Sequence, residues 1–343
     1  MSEQTLAVKY RPKTFEDIVE QESTKVILQQ QLQSGGIKNA YLFCGPAGDG
    51  KTTTARIFAN EINKGQGNPI EMDAASHNGV DDVRAIIQQA KTKSIDSEYK
   101  CFIIDECHSI SNTGWQAFLK IIEEPPAKSI FLFCTTDPQK IPKTILSRVQ
   151  RFDFHKISQE GIFDRLHYIA LEEFGLIENV EIEMQALEYI AKLAEGGMRD
   201  AISLMEKCFA YSEELTISNV VKALGTVDYE DMINLTKEII TGHTKEVIGI
   251  IEAIHDAGKD LKQFIKSYIQ FLIDVQKYAV GCDWKYITIP QTNAVLEWLE
   301  HIDDYDVCFD LLDKIMKLNA DIKYSSSAKY DLEGCILSFM MED

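Results

Sequence analysis

What this 343-residue chain lacks removes several classes of function at once. No run of about eighteen apolar residues occurs, so the sequence offers no helix that could cross a membrane. The opening Met1-Ser-Glu-Gln-Thr has neither the charged nor the apolar region of a secretory leader, which points to a protein made and kept in the cytoplasm. Positive charge is scarce: 35 Lys and Arg stand against 54 Asp and Glu, a formal net charge of -19. A protein that coats DNA unaided is therefore excluded, although helix N-termini can still meet phosphates on one small face. Paired cysteines are also missing. The eight cysteines are scattered without a Cys-x-x-Cys pair, and several sit in apolar runs such as Phe131-Leu-Phe-Cys134. They read as reduced core thiols rather than disulfides or zinc ligands. His108 follows Cys107, but no second pair offers the remaining ligands of a tetrahedral site, and no zinc is expected.

What is present is the mixture of a globular protein, 45% hydrophobic and 26% charged, with length enough for two or three domains. The first half alternates apolar strands with helical stretches. Strands are expected at Tyr41–Cys44, Ile70–Asp73, Cys101–Ile104, Ile130–Cys134 and Phe152–Phe154, and helices at Lys51–Ile62, Val80–Lys93 and Trp115–Glu123. That succession implies an α/β module with five parallel strands covered on both faces. After about residue 157 the strand pattern stops. Helices are expected at Ser158–Phe174 with a serine cap, Met184–Ala194 and Met198–Ser212, then a short one from Ser218 to Gly225. From Asp228 onward the pattern is amphipathic helix with breaks near Gly242, Gly258, Gly281 and Pro290; Leu261, Phe264, Ile265, Tyr268, Ile269 and Leu272 form one apolar stripe.

Gly45-Pro46-Ala47-Gly48-Asp49-Gly50-Lys51-Thr52 fits the P-loop pattern in full, after a strand and before a helix. Glycines let backbone N–H groups turn toward phosphate oxygens, and the helix start adds its positive dipole end. Residues Gly45 to Thr53 are thus candidates for holding ATP, with Lys51 reaching the β- and γ-phosphates and the Thr52 hydroxyl ligating Mg²⁺. The apolar strand ending in Asp105-Glu106 brings two carboxylates to a strand tip beside the P-loop. Asp105 would hold Mg²⁺, directly or through water, and Glu106 would act as general base. Thr136, at the next strand end, either orients the attacking water or caps the turn. Arg148, in Leu146-Ser-Arg-Val, reads from the residues alone as a solvated arginine.

Taken in order, Tyr10-Arg-Pro-Lys-Thr-Phe-Glu-Asp-Ile-Val, the P-loop, Asp73-Ala-Ala-Ser-His-Asn-Gly-Val-Asp-Asp-Val-Arg84, Ile104-Asp-Glu-Cys-His108, Leu119-Lys-Ile-Ile-Glu-Glu-Pro-Pro126, Thr135-Thr-Asp-Pro-Gln-Lys-Ile-Pro142, Ile145-Leu-Ser-Arg148 and Gly197-Met-Arg-Asp-Ala-Ile-Ser203 resemble one family. It is the gamma/tau family of bacterial polymerase III clamp-loader subunits, AAA+ ATPases. The resemblance covers residues 6 to about 210, and the helical remainder is similar to the family's collar by pattern only. It implies an AAA+ ATPase domain at 1–157, a helical lid at 158–226 and a helical collar at 227–343. It further implies a pentameric spiral with several copies of this chain, a sliding clamp, primer–template DNA, and a setting in the bacterial cytosol or a phage-infected cell.

By the same resemblance, Arg148 is an arginine finger acting in trans on a neighbour's ATP, and Arg199 is a lid sensor touching the chain's own ATP. Thr136 is the strand-end sensor, Arg11 and Pro12 lie near the adenine, and Ser76, His77, Asn78 and Gly79 precede a helix whose N-terminus faces the DNA backbone. Several features depart from the family. Only Asn63-Lys-Gly-Gln-Gly-Asn-Pro69 stands where the family carries a cysteine-rich zinc module, Asp49 puts a carboxylate in the phosphate loop with its side chain free to turn outward, and Glu20 replaces a glycine. The sequence also stops after the collar, without the family's long tau-type extension. The alternatives are a non-hydrolysing stator subunit, another AAA+ DNA motor such as a branch-migration helicase, and a P-loop metabolite kinase. The first is disfavoured by intact Lys51, Thr52, Asp105 and Glu106, the second by the absence of a winged-helix pattern, the third by the lid arginine.

Overall fold

The computed structural model describes residues 4–175, 181–224, 229–302, 305–322 and 327–341. These fall into two compact units, one of Met1–Glu178 with Ile190–Glu206, the other of Asn179–Tyr189 with Lys207–Asp343. No helix among the described residues is long and apolar enough to cross a membrane.

The first unit is built on five parallel strands, β1 (Ala40–Cys44), β2 (Ile70–Asp73), β3 (Lys100–Asp105), β4 (Ser129–Thr135) and β5 (Gln150–Asp153), in the spatial order β2-β3-β4-β1-β5. Every residue of β1 and β4 is buried, as the near-continuous apolar runs of a doubly covered parallel sheet require. Side chains alternate between the two faces. Leu42, Phe102, Ile104, Phe131 and Phe133 point into one core, closed by Val83 and Ile86 of α4 (Val80–Ala90) and Trp115 and Phe118 of α5 (Asn112–Glu123). Tyr41, Phe43, Ile103 and Leu132 point into the other, closed by Leu28 of α2 (Glu22–Ser34) and Ile57, Phe58 and Ile62 of α3 (Lys51–Ile62). The α/β class and all five strands match expectation. Strand β4 stands between β1 and β3, so the Asp105 strand is one removed from the P-loop strand.

Helix ends follow local chemistry. Helix α5 begins three residues before Trp115 because the Ser111 hydroxyl accepts from Gly114 N at 3.2 Å, and α4 stops at Ala90 rather than Lys93. Neither α2 nor the short α1 (Leu6–Lys9) and α6 (Lys143–Leu146) stood out from the strand–helix alternation. Helix α7 (Gln159–Phe174) opens where expected, with Ser158 Oγ accepting from Gly161 N. Helices α8 (Glu181–Leu193) and α9 (Met198–Tyr211) follow.

In the second unit come α10 (Ile217–Leu224), α11 (Tyr229–Ile240), α12 (Thr244–Asp256), α13 (Leu261–Ala279), α14 (Asn293–Glu300), α15 (Tyr305–Asp321) and α16 (Ala328–Met340). The helix end expected at Gly225, the boundary at 226–227 and the start at Asp228 lie outside the described residues. The breaks at Gly242, Gly258 and Gly281 are left-handed residues just past α11, α12 and α13, with φ of 75°, 72° and 75°. Of the apolar stripe on α13, Leu261, Phe264, Ile265, Tyr268 and Leu272 are buried and Ile269 packs against them.

Among the described residues of this helical core one charge, that of Asp274, is fully buried. Its carboxylate, on α13, accepts from the amides of Thr288 and Ile289 at 2.6 and 3.1 Å and from Lys277 Nζ at 2.8 Å. It thereby ties the irregular segment after Gly281 back to the helix. Asp274→Ala takes the acceptor from the amides of Thr288 and Ile289 and leaves Lys277 with Tyr286 O, and is expected to destabilise this unit by about 3 to 5 kcal/mol. Urea denaturation followed by the tryptophans Trp284 and Trp298, which pack against the same core, measures the loss.

Candidate active site

The carboxyl ends of β1, β3 and β4 deliver the loops that carry the motif residues, the edge at which open parallel sheets bind ligands. The P-loop leaves β1 with Gly45 N donating to Thr135 O at 3.2 Å, so its first residue is pinned to the end of β4. It then turns through left-handed Gly48 and Gly50, φ 77° and 96°, and enters α3 at Lys51. Gly48 has a second reason to be glycine. Its carbonyl accepts from Met198 N at 3.1 Å, and a Cβ there would lie 3.0 Å from Gly197 Cα. The loop thus closes directly against the start of α9, bringing the Gly197-Met-Arg motif to the phosphate loop.

Across β4, the Thr52 hydroxyl donates to Asp105 Oδ2 at 2.8 Å. Two hard oxygen donors therefore converge, the first from the P-loop helix and the second from β3, the chemistry that Mg²⁺ selects. Next to them Glu106 has φ 46°, left-handed for a residue with a Cβ, a strain of about 1 to 3 kcal/mol. Its carboxylate is held by Thr136, whose hydroxyl donates to Oε2 at 3.0 Å, and by His108 Nδ1 at 3.2 Å from the same oxygen. Thr136 thus contacts the general-base candidate through its side chain, which a turn-capping role alone would not require. In the sequence His108 stands out only as a possible metal ligand beside Cys107. In the fold Nδ1 also lies 3.2 Å from Thr135 Oγ1. Behind the loop, burial pushes the Cys44 thiol up to about 11 and the Cys107 and Cys134 thiols well above their ordinary value, as core thiols behave.

All of this opens into a cavity of about 330 Å³ within the first unit. Ala47 to Thr53, Asp105, Glu106 and Thr136 line it on the phosphate side, Arg11 and Pro12 on another wall, and Met198 with Arg199 close to the loop. The wall also includes residues to which the sequence assigned no role of their own. Tyr10, Ile18, Val19 and Arg165 line it too, and Arg165 Nη2 donates to Tyr10 O at 3.0 Å while its guanidinium sits 5.3 Å from the Tyr168 ring. The first of these contacts joins residues 155 positions apart, which no local motif encodes.

Asp49 corrects an expectation. Its side chain turns inward, not outward: it is 1% exposed, and Oδ1 meets Lys51 Nζ at 2.9 Å. Burial raises the carboxyl above its ordinary value, opposed by the attraction of Lys51. Glu20 is explained as well. It stands at φ 57°, where glycine is the unstrained choice, and its carboxylate accepts from Ser158 N at 3.1 Å and from the Ser158 hydroxyl, fastening the start of α7.

Arg148 does not line the cavity; Glu123 Oε1 holds its Nε at 2.8 Å and Thr144 O holds Nη1 at 2.8 Å on the surface of the same unit. Ser76, His77 and Asn78 are exposed and also outside the cavity, with the Ser76 hydroxyl donating to Asp73 at 2.6 Å. The Gly79 amide, which a phosphate at the start of α4 would use, is already bonded to Asp82 Oδ2 at 3.3 Å.

Comparison with known proteins accords with this geometry. Residues 68–158 match the family model of the DNA polymerase III delta subunit, and residues 164–214 that of the DNA polymerase III clamp loader subunit ATPase lid domain. The chain is 34% identical to the DNA polymerase III subunit tau of Bacillus subtilis over 98% of its own length, and 36% identical to that of Escherichia coli K12 over 86%. In sequence the chain is thus similar to the gamma/tau clamp-loader subunits over most of its own length. It spans 63% and 51% of the length of those two gamma/tau relatives. The solved Thermotoga maritima RuvB branch-migration motor superposes with TM-score 0.52 at 21% identity, over 73% of this chain and 86% of that one. That likeness shows the AAA+ fold; the sequence kinship is with gamma/tau.

Because Gly48 combines a left-handed backbone with contact to Gly197, Gly48→Ala is expected to destabilise this unit by about 1 to 3 kcal/mol and to weaken nucleotide binding. Thermal melts with and without ATP check both: the melting temperature falls, and the upward shift produced by ATP shrinks.

Proposed function

We propose that this chain is the ATP-hydrolysing motor subunit of a sliding-clamp loader, acting on primer–template DNA during replication. The observation that carries the reading is the convergence, in one cavity, of the phosphate loop, the Thr52–Asp105 pair and the Glu106–Thr136 pair. ATP is the substrate, held by the amides of residues 47–53 with Arg11 and Pro12 toward the base. Thr52 and Asp105 are the residues that would hold Mg²⁺, which when bound supplies positive charge to the phosphate oxygens.

Lys51 stabilises the β- and γ-phosphates electrostatically. Glu106 accepts a proton from water as its oxygen attacks the γ-phosphorus, and the bond to the bridging oxygen breaks to release ADP and phosphate. Thr136 fixes the Glu106 carboxylate, and Arg199 answers to the γ-phosphate from the α9 side. Arg148, outside its own chain's cavity, completes the site of an adjacent subunit in a pentameric spiral that also engages the sliding clamp and DNA. In this reading residues 1–157 are the ATPase domain, 158–226 the lid and 227–343 the collar, and the protein works in the cytoplasm. ATP and DNA both favour the assembled state, and hydrolysis releases the closed clamp. The Ser76–Gly79 segment is assigned to the DNA side with less chemistry behind it, given that Asp82 already occupies the Gly79 amide.

The defining test is reconstitution with candidate loader subunits and a clamp: ATP-dependent clamp capture and DNA-stimulated hydrolysis are expected, and a chain that forms no such complex refutes the assignment. Glu106→Gln is expected to bind ATP while turnover drops by about 10² to 10⁴, read in a phosphate-release assay. Arg148→Ala should leave ATP binding by the isolated chain unchanged but lower stimulated turnover of the assembly by about 10³ to 10⁵. Full stimulated turnover in that variant removes Arg148 from the neighbour's site.

A further inference from the structure

We propose that Asp49 sets the strength of nucleotide binding by occupying, as an internal anion, the donors that a phosphate needs. The proposal rests on residues 45–53 being the phosphate cradle. An ammonium carries three protons, and in the folded loop all of those on Lys51 have acceptors: Asp49 Oδ1 at 2.9 Å, Gly45 O at 2.8 Å, and Pro46 O. The same Asp49 oxygen accepts from the backbone N–H of Lys51 at 3.3 Å, the first amide of α3 and one of the donors by which a helix start grips phosphate. The side chains of Lys51 and Asp49 are only 6% and 1% exposed, so water does little to dilute the attraction between them.

The other carboxylate oxygen shows that this arrangement is not an ordinary structural ion pair. Asp49 Oδ2 is buried without any hydrogen-bond partner, and a Cβ built on Gly45 would lie 2.1 Å from it. The carboxylate has been taken into the loop, into room left by the absence of a side chain at Gly45, and only one of its oxygens is satisfied. A buried anion so poorly solvated is a weak holder that a better-placed anion can displace. Triphosphate entry then has to draw Lys51 and the α3 amide away from Asp49, and the loop meets the incoming negative charge as a neutral pair rather than as a free cation. Asp49 is therefore an affinity-determining residue: it lowers phosphate affinity in proportion to phosphate charge while leaving recognition of the adenosine end alone.

Isothermal titration of the full chain with ATP, ADP and adenosine, each with Mg²⁺ present, tests this with Asp49→Asn and Asp49→Ser, which remove the charge while keeping a small polar side chain. Binding of ATP is expected to tighten by about tenfold or more, that of ADP by less, and that of adenosine not at all. Unchanged or weaker ATP binding overturns the proposal, as does an equal gain for all three ligands, which would report loop plasticity rather than charge. Loss of the folded circular-dichroism signal in both variants also overturns it, since Asp49 is then a structural partner of Lys51. A different failure belongs to the cradle itself: if neither the parent chain nor a folded variant binds any phosphate-bearing nucleotide, the reading of residues 45–53 falls, whatever Asp49 does.

Discussion

The hydrogen bond from Thr52 to Asp105 spans the width of strand β4. Thr52 comes from the helix that follows β1, and Asp105 is the last residue of β3, so the bond joins the ends of the two strands that flank β4. The rest of the site is arranged around that bridge. Gly45 is pinned to Thr135 at the end of β4, and the side chain of Thr136, one residue on, holds Glu106. A parallel sheet makes this economical, since three strand ends arrive at one edge with their dipoles and loops pointing the same way.

Around the bridge, charges are kept under restraint. Glu106 is held in a left-handed backbone by surroundings that over-determine it, with Thr136 and His108 on one carboxylate oxygen. Lys51, the cation that a phosphate would meet, is enclosed by two carbonyls and Asp49. Both the base and the cation are thus present with their hydrogen bonds already committed, and a ligand has to compete for them. Such a site favours release as well as capture, in keeping with the motor role proposed for it.

The second unit obeys a simpler rule. Its helices bury one continuous apolar core, and its principal buried charge, Asp274, is supplied with amide donors and an ammonium that anchor an irregular segment.

Strand and helix periodicity, the eight-residue phosphate loop and the Asp105-Glu106 tip were legible along the chain, because each is written within a few residues: apolar alternation, glycines at φ-positive positions, carboxylates ending an apolar run. The left-handed glycines after α11, α12 and α13 belong to the same category. What could not be read was anything that depends on which distant segments meet. The insertion of β4 between β1 and β3 is a matter of strand order, to which local pattern is blind. Tyr10 and Arg165 form a wall of the cavity although 155 positions separate them. Asp49 looked like a solvated loop residue and is buried, because the space beside Gly45 and the ammonium of Lys51 exist only once the loop has closed. The chain therefore determined its elements and its motifs by short-range sterics and hydrogen bonding, whereas the direction of individual side chains and the walls of the site were decided by tertiary packing, which alone establishes who is next to whom.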